Sequence, residues 1–102
     1  RLDPDRRAAG GEERSPEAVE AALRLSDGDR RRVQVALTAL GHNIGAVTGF
    51  FGPRTRAMLT AWQKAQGLPE TGYLTAAQHD TLKQQAAAAL ARYDEEQRRR
   101  TE

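Results

Sequence analysis

Cysteine is missing from the 102-residue chain. Its absence excludes disulfides, a thiol nucleophile and any cysteine-ligated metal site. Aromatic residues are scarce, with one Trp, two Tyr and two Phe, so each must be accounted for. No apolar run approaches the ~20 residues of a membrane-spanning helix, and the chain carries no recognisable signal peptide; no membrane insertion is expected. Arg1 rather than Met stands first, as expected of a piece of a longer protein. An excess of one charge is also lacking: 16 Lys and Arg face 14 Asp and Glu, for a net charge of +2. A nucleic-acid binder usually gathers its basic side chains on one face, and this near-balance implies no nucleic-acid partner. With 38% apolar and 29% charged residues, the chain can bury one small core and no more.

Catalytic constellations are equally sparse. His42 and His79 fall in separate elements, with no His-x-x-x-His spacing and no Glu at ligand distance in sequence, so no metal site is implied. Ser15 and Ser26 read better as helix caps than as nucleophiles. Between Arg31 and Leu82 the only acids are Glu70 and Asp80, which read as solvated surface rather than as a pair facing one cleft. No catalytic residue, no metal and no cofactor are therefore assigned, and the chain is not expected to be an enzyme.

What is present is a succession of helical signals. Residues 1–14 hold only Leu2, Ala8 and Ala9 as apolar groups; they cannot offset their ordering entropy and are expected to be disordered. Ser15-Pro16 then caps and starts a short helix, about 16–24, with Val19, Ala22 and Leu23 on one face. Val33, Ala36, Leu37 and Leu40 recur at helical spacing over about 28–40, and Gly41 terminates them. A glycine-punctuated loop follows from His42 to Phe51. Gly52-Pro53 restarts a helix over about 53–66, with Thr55, Met58, Leu59 and Trp62 on one face and Gly67 at its end. Thr75 and Gln78 form a capping box for the last helix. Its apolar edge runs through Leu82, Ala86, Ala89, Leu90 and Tyr93, and residues 94–102 form a polar, frayed tail. The arginine run at 98–100 suits a helix C-terminus.

One internal echo stands out. Thr48-Gly49-Phe50-Phe51 returns 23 residues later as Thr71-Gly72-Tyr73-Leu74, each block just before a helix. Phe51 and Leu74 are then expected to act as apolar staples for the helices that follow. The expected core is Leu37, Leu40, Phe51, Leu59, Trp62, Leu74 and Leu82. Val19 and Leu23 of the short helix are expected to dock on Leu82, Ala86 and Leu90. The predicted architecture is all-α: a three-helix bundle with an extra short N-terminal helix and an extended C-terminal helix, the domain spanning 15–93.

The stretch from Arg31 to about Leu82 resembles the peptidoglycan-binding-like domain. The residues that carry the resemblance are Leu40-Gly41, Gly49-Phe50-Phe51-Gly52-Pro53-Arg54-Thr55, Met58-Leu59, Trp62-Gln63 and Gly67-Leu68-Pro69-Glu70-Thr71-Gly72. Two positions depart from the family pattern. Thr48 stands where Asp is usual, keeping an acceptor and losing a charge, and Trp62 stands where Phe is commoner. The resemblance implies a small helical bundle that binds peptidoglycan, through glycan or stem peptide, and anchors or targets an attached protein to the bacterial cell wall. A periplasmic or extracellular location follows from the resemblance alone, and a monomer is expected. A protein-interaction module on the same fold, binding another polypeptide, is the alternative.

Phe50 and Tyr73 hold equivalent places in the echoed blocks, each beside a staple, so they are expected to point away from the core and to rim one groove. Arg54 and Arg56 lie in the first turn of the third helix, where a cation is unfavourable for the helix dipole; one of them is expected to serve an anionic ligand. The candidate ligand-binding set is Thr48, Gly49, Phe50, Arg54 and Tyr73, gathered on one concave surface.

Overall fold

A computed structural model describes residues 15–101. The segment 1–14, expected to be disordered, and Glu102 lie outside the described residues. Five helices follow in order: α1 (Pro16–Ala21), α2 (Asp27–Ala39), α3 (Pro53–Ala65), α4 (Ala76–Gln85) and α5 (Ala87–Thr101). No strand occurs among the described residues, and the protein is all-α as its periodicity predicts.

Local chemistry starts each helix. Ser15 accepts a hydrogen bond from the Ala18 N–H, and Pro16 occupies the first helical position. Ser26 and Asp29 form a reciprocal capping box on α2, and Thr75 and Gln78 do the same on α4. Gly52 precedes Pro53 at α3 without a side-chain cap. Gly41 and Gly67 stand just beyond α2 and α3 with φ of +95° and +74°, a backbone state that glycine reaches without strain.

The core gathers Val33, Ala36, Leu37, Phe51, Leu59, Trp62, Leu74, Leu82, Ala86 and Leu90 around α2, which packs against α3, α4 and α5. Both staples, Phe51 and Leu74, are buried. Leu40 is only partly buried at the rim of this cluster, whereas Ile44 of the first loop, which shows no sequence period, is buried within it. The Trp62 indole N–H donates to Gln85 Oε1 at 2.9 Å, giving the buried ring the polar partner it requires.

Three expectations are corrected. The last helix is broken at Ala86, whose φ of −110° and ψ of 24° end α4 before α5 begins. The alanine run offers no local reason for a break; packing on α2 decides it, since Leu82, Ala86 and Leu90 are all buried. Second, α2 rather than α1 covers that apolar edge. Glu20 of α1 is buried and its carboxylate accepts from Arg56 and from the Leu74 N–H, while Leu23, just beyond α1, packs partly buried against the core as expected. Third, residues 94–101 are helical rather than frayed. Glu95 pairs with Arg98 at 3.4 Å and Arg99 at 3.3 Å, the i,i+3 and i,i+4 spacings that support a solvated helix. Further back, Asp94 meets Arg32 of α2 at 3.4 Å.

Candidate functional site

The echoed blocks are two copies of one structural device. In the first, Gln34 of α2 is fully buried and its Oε1 accepts from the N–H groups of Thr48 and Gly49, both at 2.9 Å. Its Nε2 donates to Phe50 O at 2.9 Å and to Thr55 Oγ1 at 3.2 Å. In the second, Gln63 of α3 accepts from Gly72 N–H at 2.8 Å and donates to Tyr73 O at 2.8 Å and Gln78 Oε1 at 3.0 Å. Thr48 and Thr71 each accept from the N–H two residues on, at 3.1 Å, a side-chain turn that holds the loop tight. Gly49 and Gly72 have φ of +84° and +80°, so both turns need a residue that tolerates the left-handed region.

Each loop glycine is also held from its carbonyl side. Arg30 Nε donates to Gly49 O at 2.6 Å and its Nη1 to Leu25 O at 2.6 Å. Arg56 Nη1 donates to Gly72 O at 3.1 Å and to Glu20 Oε2 at 2.8 Å. The Arg56 guanidinium lies over the Tyr73 ring, 4.0 Å from its centroid, and 5.1 Å from that of Phe51. Stacking and the Glu20 pair together fix it.

Between these elements lies a groove of about 450 Å³, lined by Glu20, Asp27, Arg30, Thr48, Gly49, Phe50, Phe51 and Arg56. Its size is ordinary for a small-ligand site. Phe50 is 72% exposed, the only large apolar side chain so placed among the described residues. A larger cavity of about 620 Å³ is lined by Ala91, Arg92, Glu95, Glu96 and Arg99. All five belong to α5, so it is the solvated face of one helix and brings no separate elements together.

The groove unites Thr48, Gly49 and Phe50 of the candidate set. It does not include Arg54, which turns the other way: its Nε donates to Asn43 O at 3.1 Å and its side chain runs beside Gly45. The expectation that Arg54 lines the same concave surface is therefore corrected, and Arg56 is the arginine of that turn that faces the groove. Tyr73 is half-buried behind Arg56, supporting the guanidinium rather than rimming the groove. Glu20, Asp27 and Arg30 were not legible as site residues. They come from α1 and from the start of α2, and only folding brings them to the first echoed loop.

Asp29, Arg31 and His79, all outside the groove lining, depart from their ordinary behaviour, Arg31 being raised by its hydrogen bond to Asp27. The Asp29 carboxyl is held below the usual range, chiefly because it accepts the Ser26 backbone N–H. His79 is pushed below its usual value by burial, with Lys83 acting in the same direction and Asp29 and Asp80 opposing. Among the described residues no three of His, Cys, Asp and Glu gather as metal ligands. No described helix is long and apolar enough to cross a membrane.

An all-helical module with two glycine loops clamped by buried glutamines, and a shallow charged groove with one exposed aromatic, defines a binding domain. The chain belongs to the family described as "Putative peptidoglycan binding domain", which it matches over residues 26–82, more than half its length. Membership supports peptidoglycan as the partner and the cell wall as the place of association. No curated protein and no solved structure matches the chain. The matched segment contains α2, α3 and most of α4, and with them Gln34, Gln63 and both echoed loops.

Proposed function

We propose that the chain is a non-catalytic module that binds peptidoglycan in the groove beside Thr48, Gly49 and Phe50. In this reading it anchors or targets an attached protein to the bacterial cell wall, on the periplasmic or extracellular side, by raising its local concentration there. Residues 15–93 form the module and the rest of α5 is a solvated extension. The observation that carries the reading is Phe50. A large apolar ring held 72% exposed, on a loop whose backbone is clamped by Gln34 and Arg30, is a rigid contact surface that contributes little to the core. Sugar rings and the apolar faces of peptides both pack on such a platform. Arg56 and Arg30 supply the polar contacts beside it.

Sedimentation with purified sacculi tests this directly. The chain should pellet with sacculi, and Phe50→Ala should abolish most of that binding while moving stability by no more than about 0.5 kcal/mol, as for an exposed side chain. Retained binding by Phe50→Ala would place the contact surface elsewhere. The alternative, a polypeptide-binding module, predicts no pelleting by the wild-type chain.

A further inference from the structure

The two loop–helix units share the glutamine clamp, the threonine turn and the arginine on the glycine carbonyl, and they differ in what meets the residue after the aromatic. In the second unit, the Leu74 N–H and Arg56 Nη1 converge on the same oxygen of the Glu20 carboxylate, at 2.9 and 2.8 Å. In the first unit Phe51 takes the place of Leu74, and Arg30 the place of Arg56. Both arginines are the fourth residue of their helix, and both donate to the carbonyl of the loop glycine. Among the described residues no carboxylate accepts the Phe51 N–H as Glu20 accepts that of Leu74; the Asp27 carboxylate lies against Gly49 and pairs with Arg31. Among the described residues the Phe51 N–H has no acceptor. Arg30 reaches only two carbonyls, Gly49 O and Leu25 O, and forms no ion pair among the described residues.

The groove opens at this place, and its other charges are satisfied. Glu20 is paired with Arg56, and Asp27 with Arg31 at 2.7 Å. Arg30 is thus the lining cation without an anionic partner among the described residues. An arginine together with a backbone N–H makes a short, charge-assisted seat for a carboxylate, and the molecule shows that seat filled once, by its own Glu20. We propose that the groove binds the terminal carboxylate of a peptide between the Phe51 N–H and the Arg30 guanidinium, with the last residues of that peptide against Phe50. The proposal rests on the peptidoglycan reading and deepens it: the stem peptide, which carries free carboxylates, is the part recognised, rather than the uncharged acetylated sugars of the glycan.

The test compares two probes on the unaltered chain: N-acetyl-D-alanyl-D-alanine with a free carboxylate, and its C-terminal amide. Nitrogen-15 chemical shifts are followed on the full 102-residue protein. The acid should move the amides of Gly49 to Phe51 and the Arg30 Nε–H, and should bind about tenfold or more tightly than the amide, the scale of one lost charged hydrogen bond. Arg30→Gln should erase the difference between acid and amide. Since Arg30 also holds Gly49 O, the acid-versus-amide comparison on the wild type stands as the measurement that needs no variant. Equal binding of the two probes, no shift with either, or shifts centred on Leu74 would overturn the carboxylate seat. Sacculus sedimentation separates the two levels of the argument. Pelleting without a preference for the acid overturns the seat and leaves peptidoglycan binding standing. A clear preference without pelleting supports the seat and overturns peptidoglycan as its source.

Discussion

Gln34 grips Gly49 by the contact that Gln63 makes with Gly72: in each pair the amide oxygen accepts the glycine N–H, at 2.9 and 2.8 Å, from a fully buried side chain. In each pair the amide nitrogen then ties the next carbonyl and the side chain of the third residue of the following helix. One side chain therefore joins a helix, a loop and the helix beyond it. A loop built this way is preorganised and would not carry the ordering cost that a mobile loop carries on binding.

Replacing either glutamine should be costly. Gln63→Leu keeps the volume but strands the Gly72 N–H and takes one of two donors from the Tyr73 carbonyl, which keeps the Thr71 hydroxyl. A buried unsatisfied group costs about 1–3 kcal/mol, and urea unfolding should show a loss of about that size. Gln34→Leu should lose a similar amount and weaken sacculus binding as well, because its loop carries Phe50.

Trp62 tests the core. It is buried in the cluster formed by α2, α3 and α4, and Trp62→Ala should cost about 3–5 kcal/mol, a large part of the stability of a domain this small. Trp62→Phe keeps most of the apolar contact but removes the donor to Gln85, and should cost about 1 kcal/mol from that bond. Thermal melts of the two variants should rank in that order; equal melting temperatures would mean that the ring does not fill the core.

Glu20 is a tether of α1. Glu20→Ala leaves the Leu74 N–H and Arg56 without their shared carboxylate. The pair is partly solvated on the arginine side, so the loss should be about 1–3 kcal/mol rather than the larger figure for a fully buried pair. Hydrogen exchange at the Leu74 amide should accelerate in this variant while that at Leu37, in the middle of α2, changes only with global stability.

Acid should weaken the domain in two stages. His79 has a folded pKa below its ordinary value of 6.5, so the unfolded chain takes up the proton first. Stability is therefore full above 6.5 and falls as the pH drops from there towards the folded pKa. Asp29 is also depressed, from 3.8; its contribution is present above that value and is lost as pH falls through the lower folded pKa. Urea midpoints measured across the first window should decline in the wild type and hold nearly level in His79→Gln.

Much of the fold was legible because its causes are local. Ser15, Ser26 and Thr75 start helices by accepting from N–H groups three residues away, and such caps work wherever the chain meets them. Leu37, Leu59 and Leu82 lie on apolar faces that recur with the helical period, and all three are buried. The candidate site was legible only in its loop. Thr48, Gly49 and Phe50 share the groove, but Arg54 and Arg56, two residues apart on one helical turn, point to different neighbours. Nothing in their sequence positions says which of those neighbours folding will supply.

By itself, then, the sequence determined the helix starts, the glycine stops, the apolar faces and the twice-used Thr-Gly-aromatic turn, since each depends on contacts within a few residues. Tertiary structure alone decided where α4 breaks, because Ala86 must turn the apolar edge along α2 while an alanine run is content in any helix. It also decided that Ile44 is buried, that Glu20 meets Leu74 across 54 positions, and that Arg30 faces the first loop without an acidic partner among the described residues. Those are long-range pairings: no local propensity encodes them, and they exist only once the helices have packed.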